Sequence, residues 1–156
     1  MTHRLPRPRF FALATLACAL AVGCGDDRAP LEQACDGDDA DACHELGQML
    51  IHGLGGPADR KGGRLRLERS CELGRADSCR LAGGLSYARR DERARRFFGY
   101  GCEDGDAESC MDLAWMVEHG EGGDADPAAG LRYYERACEG GDASGCTFVE
   151  LRRSGR

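Results

Sequence analysis

Cys102-Glu-Asp-Gly-Asp-Ala-Glu-Ser-Cys110 decides the fold, because the chain carries it four times. The other copies are Cys35-Asp-Gly-Asp-Asp-Ala-Asp-Ala-Cys43, Cys71-Glu-Leu-Gly-Arg-Ala-Asp-Ser-Cys79 and Cys138-Glu-Gly-Gly-Asp-Ala-Ser-Gly-Cys146. Every pair is C-x7-C, and successive pairs begin 36, 31 and 36 residues apart. An acid always follows the first Cys (Asp36, Glu72, Glu103, Glu139). An Ala always stands three places before the second (Ala40, Ala76, Ala107, Ala143). Periods of this size signal helical arrays.

Within each copy the residues read as a helix end, a tight turn and a helix start. Gly74, Gly105 and Gly141 can adopt the left-handed conformation that closes a helix. Asp106 and Asp142 come next and are good N-caps, whereas Arg75 in the second copy is a poor one. That turn is therefore expected to be the weakest. Two antiparallel helices joined so tightly can bring paired Cα atoms within the roughly 7 Å that a disulfide needs.

Outward from each second Cys runs an apolar face of helical period. Offsets 3, 4 and 7 are Leu46, Gly47 and Leu50 in the first copy, and Leu113, Ala114 and Val117 in the third. The second copy is thinner, with Ala82, Gly83 and Ser86 helped by Leu85. Leu31, Leu67, Phe98 and Tyr134 stand four residues before the first Cys of each pair. Eight residues before stand Gly63, Ala94 and Gly130, small enough for close helix contact. The connecting loops repeat as well. His52-Gly-Leu-Gly-Gly56 and His119-Gly-Glu-Gly-Gly123 lie 67 residues apart. Asp59 and Asp126 follow as N-caps, and Pro127 suits a first helical position. The second copy lacks this loop, and Tyr87-Ala-Arg-Arg-Asp91 leads almost directly into the next helix.

The N-terminus speaks to compartment. Residues 1–9 hold Arg4, Arg7 and Arg9 and no acid, and residues 10–22 form a 13-residue apolar run. That is short of the about 20 residues a spanning helix needs. It reads as a secretory signal. Gly23-Cys24 resembles the end of a bacterial lipobox, with Ala21 where Leu is usual. The resemblance implies cleavage before Cys24 and lipid attachment to it. The alternative is ordinary cleavage nearby and a soluble secreted or periplasmic product. The expected division is residues 1–23 as signal, 24–34 as anchor linker and partial leading helix, and 35–156 as repeat domain.

Composition supports this frame. The chain has 23 Gly and 10 Cys in 156 residues, and its formal charge is −6. Removal of the signal takes three Arg and no acid, which leaves −9. An acidic balance argues against nucleic acid, whose phosphates require clustered cations. Beyond the cell membrane the eight paired cysteines are expected as disulfides. Each would contribute about 2–3 kcal/mol by chain entropy. Structural zinc favours C-x2–4-C spacing with His companions, so no metal site is expected.

The repeat resembles the Sel-1-like repeat, a relative of the tetratricopeptide repeat. The turn cysteines resemble the cysteine-rich Hcp-type group of secreted bacterial proteins. The resemblance implies an all-α, right-handed α-solenoid whose disulfides tie the second helix of one repeat to the first helix of the next. Three repeats fit, at 40–73, 76–104 and 107–140, with a partial helix at 31–35 and a capping helix at 143–152. It also implies β-lactam or peptidoglycan-fragment binding or hydrolysis. The residues do not support that chemistry: Lys61 is the one Lys, and position 58 is Ala, so Ser-x-x-Lys is absent. The leading expectation is an interaction scaffold for a protein partner, without catalytic residues or cofactor. Met111 and Trp115 share a helix face away from the apolar stripe and are candidate partner contacts. Arg89, Arg93 and Arg96 belong to the one basic patch, a second candidate whose plainer reading is a solvated face with local ion pairs.

Overall fold

The computed structural model describes residues 27–88 and 92–155. Among them are eight helices and no strand: α1 (Ala29–Asp36), α2 (Ala40–His52), α3 (Arg60–Glu72), α4 (Ala76–Ala88), α5 (Ala94–Glu103), α6 (Ala107–His119), α7 (Pro127–Glu139) and α8 (Ala143–Arg153). Each helix packs on its chain neighbours. In addition α3 touches α5 and α4 touches α6, so the helices stack as two layers of an α-solenoid. The expected repeat boundaries fall at these helix ends. The expected signal segment and Cys24 lie outside the described residues.

Four disulfides, Cys35–Cys43, Cys71–Cys79, Cys102–Cys110 and Cys138–Cys146, close the four C-x7-C turns. The paired Cα atoms are only 4.5–4.6 Å apart. So close a crossing leaves no room beside it. The residues one place before the cysteines are accordingly small: Ala34 and Ala42, Ser70 and Ser78, Gly101 and Ser109, Ala137 and Gly145. A Cβ on Gly101 would sit 2.4 Å from Ser109 Oγ, and one on Gly145 would sit 3.0 Å from the Ala137 Cβ.

Gly74, Gly105 and Gly141 have φ of 91°, 91° and 95°, as the turn reading requires. In the first copy the glycine stands one place early, as Gly37, and the left-handed position falls on Asp38 (φ 66°). Asp tolerates that region better than most side chains. Asp39, Asp106 and Asp142 cap the following helices through their carboxylates. Arg75 cannot, and fastens its turn differently. Its guanidinium pairs with Asp77 in the first turn of α4 (Nε–Oδ1 2.8 Å) and reaches Asp41 on α2.

The two glycine loops are built alike. Gly53 and Gly120 end α2 and α6 at φ of 73° and 74°. Asp59 N donates to Leu50 O at 2.7 Å, and Asp126 N donates to Val117 O at 2.8 Å. A cation holds each loop from the preceding helix layer. Arg28, seven residues before Cys35, is 7 % exposed. It donates to the carbonyls of Leu54 (2.8 Å), Pro57 (3.1 Å), Gly56 (3.1 Å) and Met49 (3.3 Å). Arg95, seven before Cys102, donates twice to Asp124 O at 3.2 Å. Arg64 holds the same place before Cys71, where the loop is deleted, and turns instead to Glu68.

Hydrogen bonds made by a charged group contribute about 1.5–3 kcal/mol, and Arg28 is the buried partner here. Arg28→Ala is therefore expected to lower the urea unfolding free energy by about 2 kcal/mol or more. Arg95→Ala, which gives up one exposed carbonyl, is expected to cost under about 1 kcal/mol. Equal losses would show that burial of the clasp is not what makes it strong.

Candidate functional site: a cleft along the α2, α4 and α6 layer

The turns fix α2, α4 and α6 side by side, and two clefts open between them. One is about 300 Å³ and is lined by Gln48, Ile51 and His52 of α2, Leu67 of α3, and Leu81 and Leu85 of α4. The other is about 390 Å³ and is lined by Gly84 and Tyr87 of α4, Phe98 of α5, and Asp112, Trp115 and Met116 of α6. The lining follows from helical period. The apolar stripe lies at offsets 3, 4 and 7, and the cleft residues of these helices lie beside it at offsets 2, 5, 6, 8 and 9.

Trp115 is 45 % exposed and Tyr87 is 41 % exposed on this surface. The indole lies against His119, with ring centroids 3.6 Å apart, and His119 Nδ1 is 2.9 Å from the Trp115 carbonyl oxygen. Trp115 is thus held in place without being covered. Met111 parts company with it: it is half-buried against the core around Leu113 and the cluster around Tyr134. The basic patch is distributed. Arg93 pairs with Glu68 at 3.4 Å, and Arg96 is exposed with its guanidinium carbon 5.2 Å from the Phe97 ring centroid. Arg89 lies outside the described residues.

One cluster was not legible in the sequence. His44 Nδ1 is 2.7 Å from Ser78 Oγ, and His44 Nε2 is 2.5 Å from Gln48 Nε2. An amide nitrogen can only donate, so His44 Nε2 accepts and Nδ1 carries the proton. The chain then runs one way: His44 donates to Ser78, Ser78 to Ser70 Oγ (2.7 Å), and Ser70 to the Ala40 carbonyl (2.7 Å). Asp77 Oδ1 stands 3.8 Å from the same Nδ1. Ser78, His44 and Asp77 are the residue types of a hydrolytic triad, in a different geometry. Serine and aspartate face one nitrogen, whereas a triad needs them on opposite nitrogens. Ser78 is also fully buried. The chain stitches α2, α3 and α4 together. Its members are scattered over three helices, and no spacing announces them.

Elsewhere the charged groups serve packing. The Tyr134 hydroxyl donates to Glu118 at 3.2 Å, and Arg152 pairs with the same carboxylate. Burial and then the Glu118 charge push the phenol up to about 12. Among the described residues no group of three or more His, Cys, Asp or Glu side chains could hold a metal ion. None of their helices is long and apolar enough to cross a membrane.

Disulfide-closed helix pairs in two layers define an α-solenoid of short helical repeats. Comparison points to the kind of repeat: two segments, residues 40–74 and 107–142, match the Sel1 repeat. No curated protein matches the sequence. Among solved structures it resembles a Sel1 repeat protein from Oxalobacter formigenes (TM-score 0.68, 21 % identity, covering 78 % of this chain and 95 % of that one). It also resembles a protective antigen of uropathogenic Escherichia coli with an SLR fold (0.65, 19 %, 79 % and 28 %). A third is cysteine-rich protein B of Helicobacter pylori (0.56, 21 %, 81 % and 99 %). At these identities the likeness is one of fold.

Burial first, with Arg75 adding and Asp77 opposing, holds the His44 imidazole below its ordinary value. A depressed histidine favours the folded state while neutral, and that contribution is lost as pH falls through its unfolded value of about 6.5. Unfolding free energy is expected to fall between pH 7.5 and 5.5. His44→Gln should flatten that slope in urea titrations at each pH; an unchanged slope would show that His44 is not its source.

Proposed function

We propose that this chain is an envelope-associated scaffold that binds a protein partner through the α2, α4 and α6 clefts and performs no catalysis of its own. The observation that carries the reading is Trp115. It is the single Trp of the chain. It is half-exposed and propped by His119 at the mouth of an open cleft. Partly exposed aromatic anchors of this kind dominate binding energy at interfaces. Sel1 repeats are typical of interaction scaffolds, and stacked helical repeats present extended binding surfaces. The serine best placed for hydrolysis among the described residues, Ser78, is sealed inside the helix crossing.

Four disulfides fit an oxidising, extracytoplasmic compartment. We place the chain on the envelope surface through lipid at Cys24, facing the periplasm or the exterior. Several acyl chains on one Cys would hold it firmly, since one alone is marginal.

Two measurements test the reading. Photocrosslinking pull-down from native envelopes is expected to capture a defined partner, and Trp115→Ala is expected to weaken it at least roughly 30-fold, the scale of an interfacial hot spot. Full retention would move the interface elsewhere. Metabolic labelling with a fatty-acid analogue is expected to mark the chain, and Cys24→Ala is expected to abolish the mark.

A further inference from the structure

The identity of what enters the cleft can be sharpened, on the footing of the scaffold reading. We propose that the cleft between α4 and α6 is a receptor for a cationic side chain, a Lys or Arg of the partner. An aliphatic neighbour of that residue would seat in the adjoining cleft between α2 and α4.

Three aromatic rings surround the first cleft. Trp115 and Tyr87 line it from α6 and α4 and remain open to solvent, and Phe98 from α5 is 3 % exposed. Ring faces attract a cation, and most strongly when it is partly desolvated. Among the described residues the one charged group in the lining is a carboxylate, Asp112. Among the described residues Arg80 is the cation that acts on it, and Arg80 is shared with Glu108 at 3.2 Å and Asp106 at 3.8 Å. Asp112 takes part in no salt bridge or hydrogen bond among the described residues. Asp112 is exposed, and its carboxyl is held above the usual range first by partial desolvation, with Arg80 opposing and Glu108 and Asp106 adding. A carboxylate so placed gains from an incoming cation and repels an anion.

Gly84 keeps the cleft open. It stands inside α4, where glycine costs about 1 kcal/mol against alanine. A Cβ built on it would meet nothing within 4 Å. Helix packing therefore does not demand the glycine, and a larger side chain at this place would extend into the cleft that Gly84 lines. The neighbouring cleft is aliphatic instead, with Ile51, Leu67, Leu81 and Leu85. Among the described residues its lining includes no carboxylate, so the two clefts side by side differ in what they take. The net charge of −6 adds a general attraction for a basic partner.

The test uses the full chain with its disulfides intact. Random 12-residue peptides displayed on phage are panned on it, and the selected peptides are titrated by fluorescence, since Trp115 is the sole indole and lines the cleft. The expected consensus places Lys or Arg beside an aliphatic residue. Replacing that cation by Gln is expected to weaken binding at least roughly tenfold, and Asp112→Asn is expected to do the same. Gly84→Leu is expected to abolish binding while thermal melting stays unchanged or rises. Selected peptides that are acidic or uncharged, or that ignore both variants, would overturn the cation receptor and leave the scaffold standing. Recovery of no peptide also counts against the receptor. If no crosslinked partner appears either, the scaffold reading falls with it.

Discussion

Everything in this molecule depends on how closely two helices cross at each C-x7-C turn. A Cα separation of about 4.5 Å between paired cysteines leaves space for Ala, Ser or Gly alone at the positions beside them. The same closeness demands a left-handed residue to reverse the chain in two steps, and three of the four turns add an Asp cap for the next helix's free N–H groups. The disulfide, the small pair and the αL residue are thus one device used four times. A chain with few aromatics cannot build one large core. It builds a series of small ones. The apolar clusters around Leu46, Leu67 and Leu113 each hold both cysteines of one bridge, and a fourth gathers around Tyr134 without one.

The second repeat departs from the others, and its departures converge on the cleft. Its glycine loop is deleted, so Arg64 has no loop to clasp and pairs with Glu68. Its helix α4 carries Ser86 where Leu50 and Val117 fill the core elsewhere, and the Ser86 hydroxyl is buried without a partner among the described residues. Gly84 then stands where α2 has Gln48 and α6 has Trp115. A thinner helix between two fuller ones is what opens space on either side of α4. Regularity makes the solenoid, and one irregular repeat gives it a feature that a ligand can recognise. Stability across that repeat is recovered by polar means, through Arg75 to Asp41 and Asp77 and through the His44–Ser78–Ser70 chain.

Much of the architecture was legible in the sequence. Repeat length, cysteine spacing, turn glycines and capping aspartates are local signals, and each acts within a few residues of itself. Asp38 is the one turn residue that the pattern did not supply, because its glycine slipped by one place. The loop clasp by Arg28 and Arg95 was missed for another reason. Those arginines sit more than 20 residues from the carbonyls they hold, and an arginine near a helix start looks like any solvated charge.

The surface was less legible still. Sequence period placed Met111 and Trp115 on one face, but only packing separates them. Met111 is drawn against neighbouring helices, and Trp115 is left at the cleft mouth. The paired turns and the helical array were legible in the sequence by itself because they follow from residues eight apart, and the resemblance they carried implied the α-solenoid. Only the tertiary structure decided which side chains of α4, α5 and α6 meet around an open space. That depends on the rotation of each helix against its neighbour, which the close crossings set and no single helix encodes.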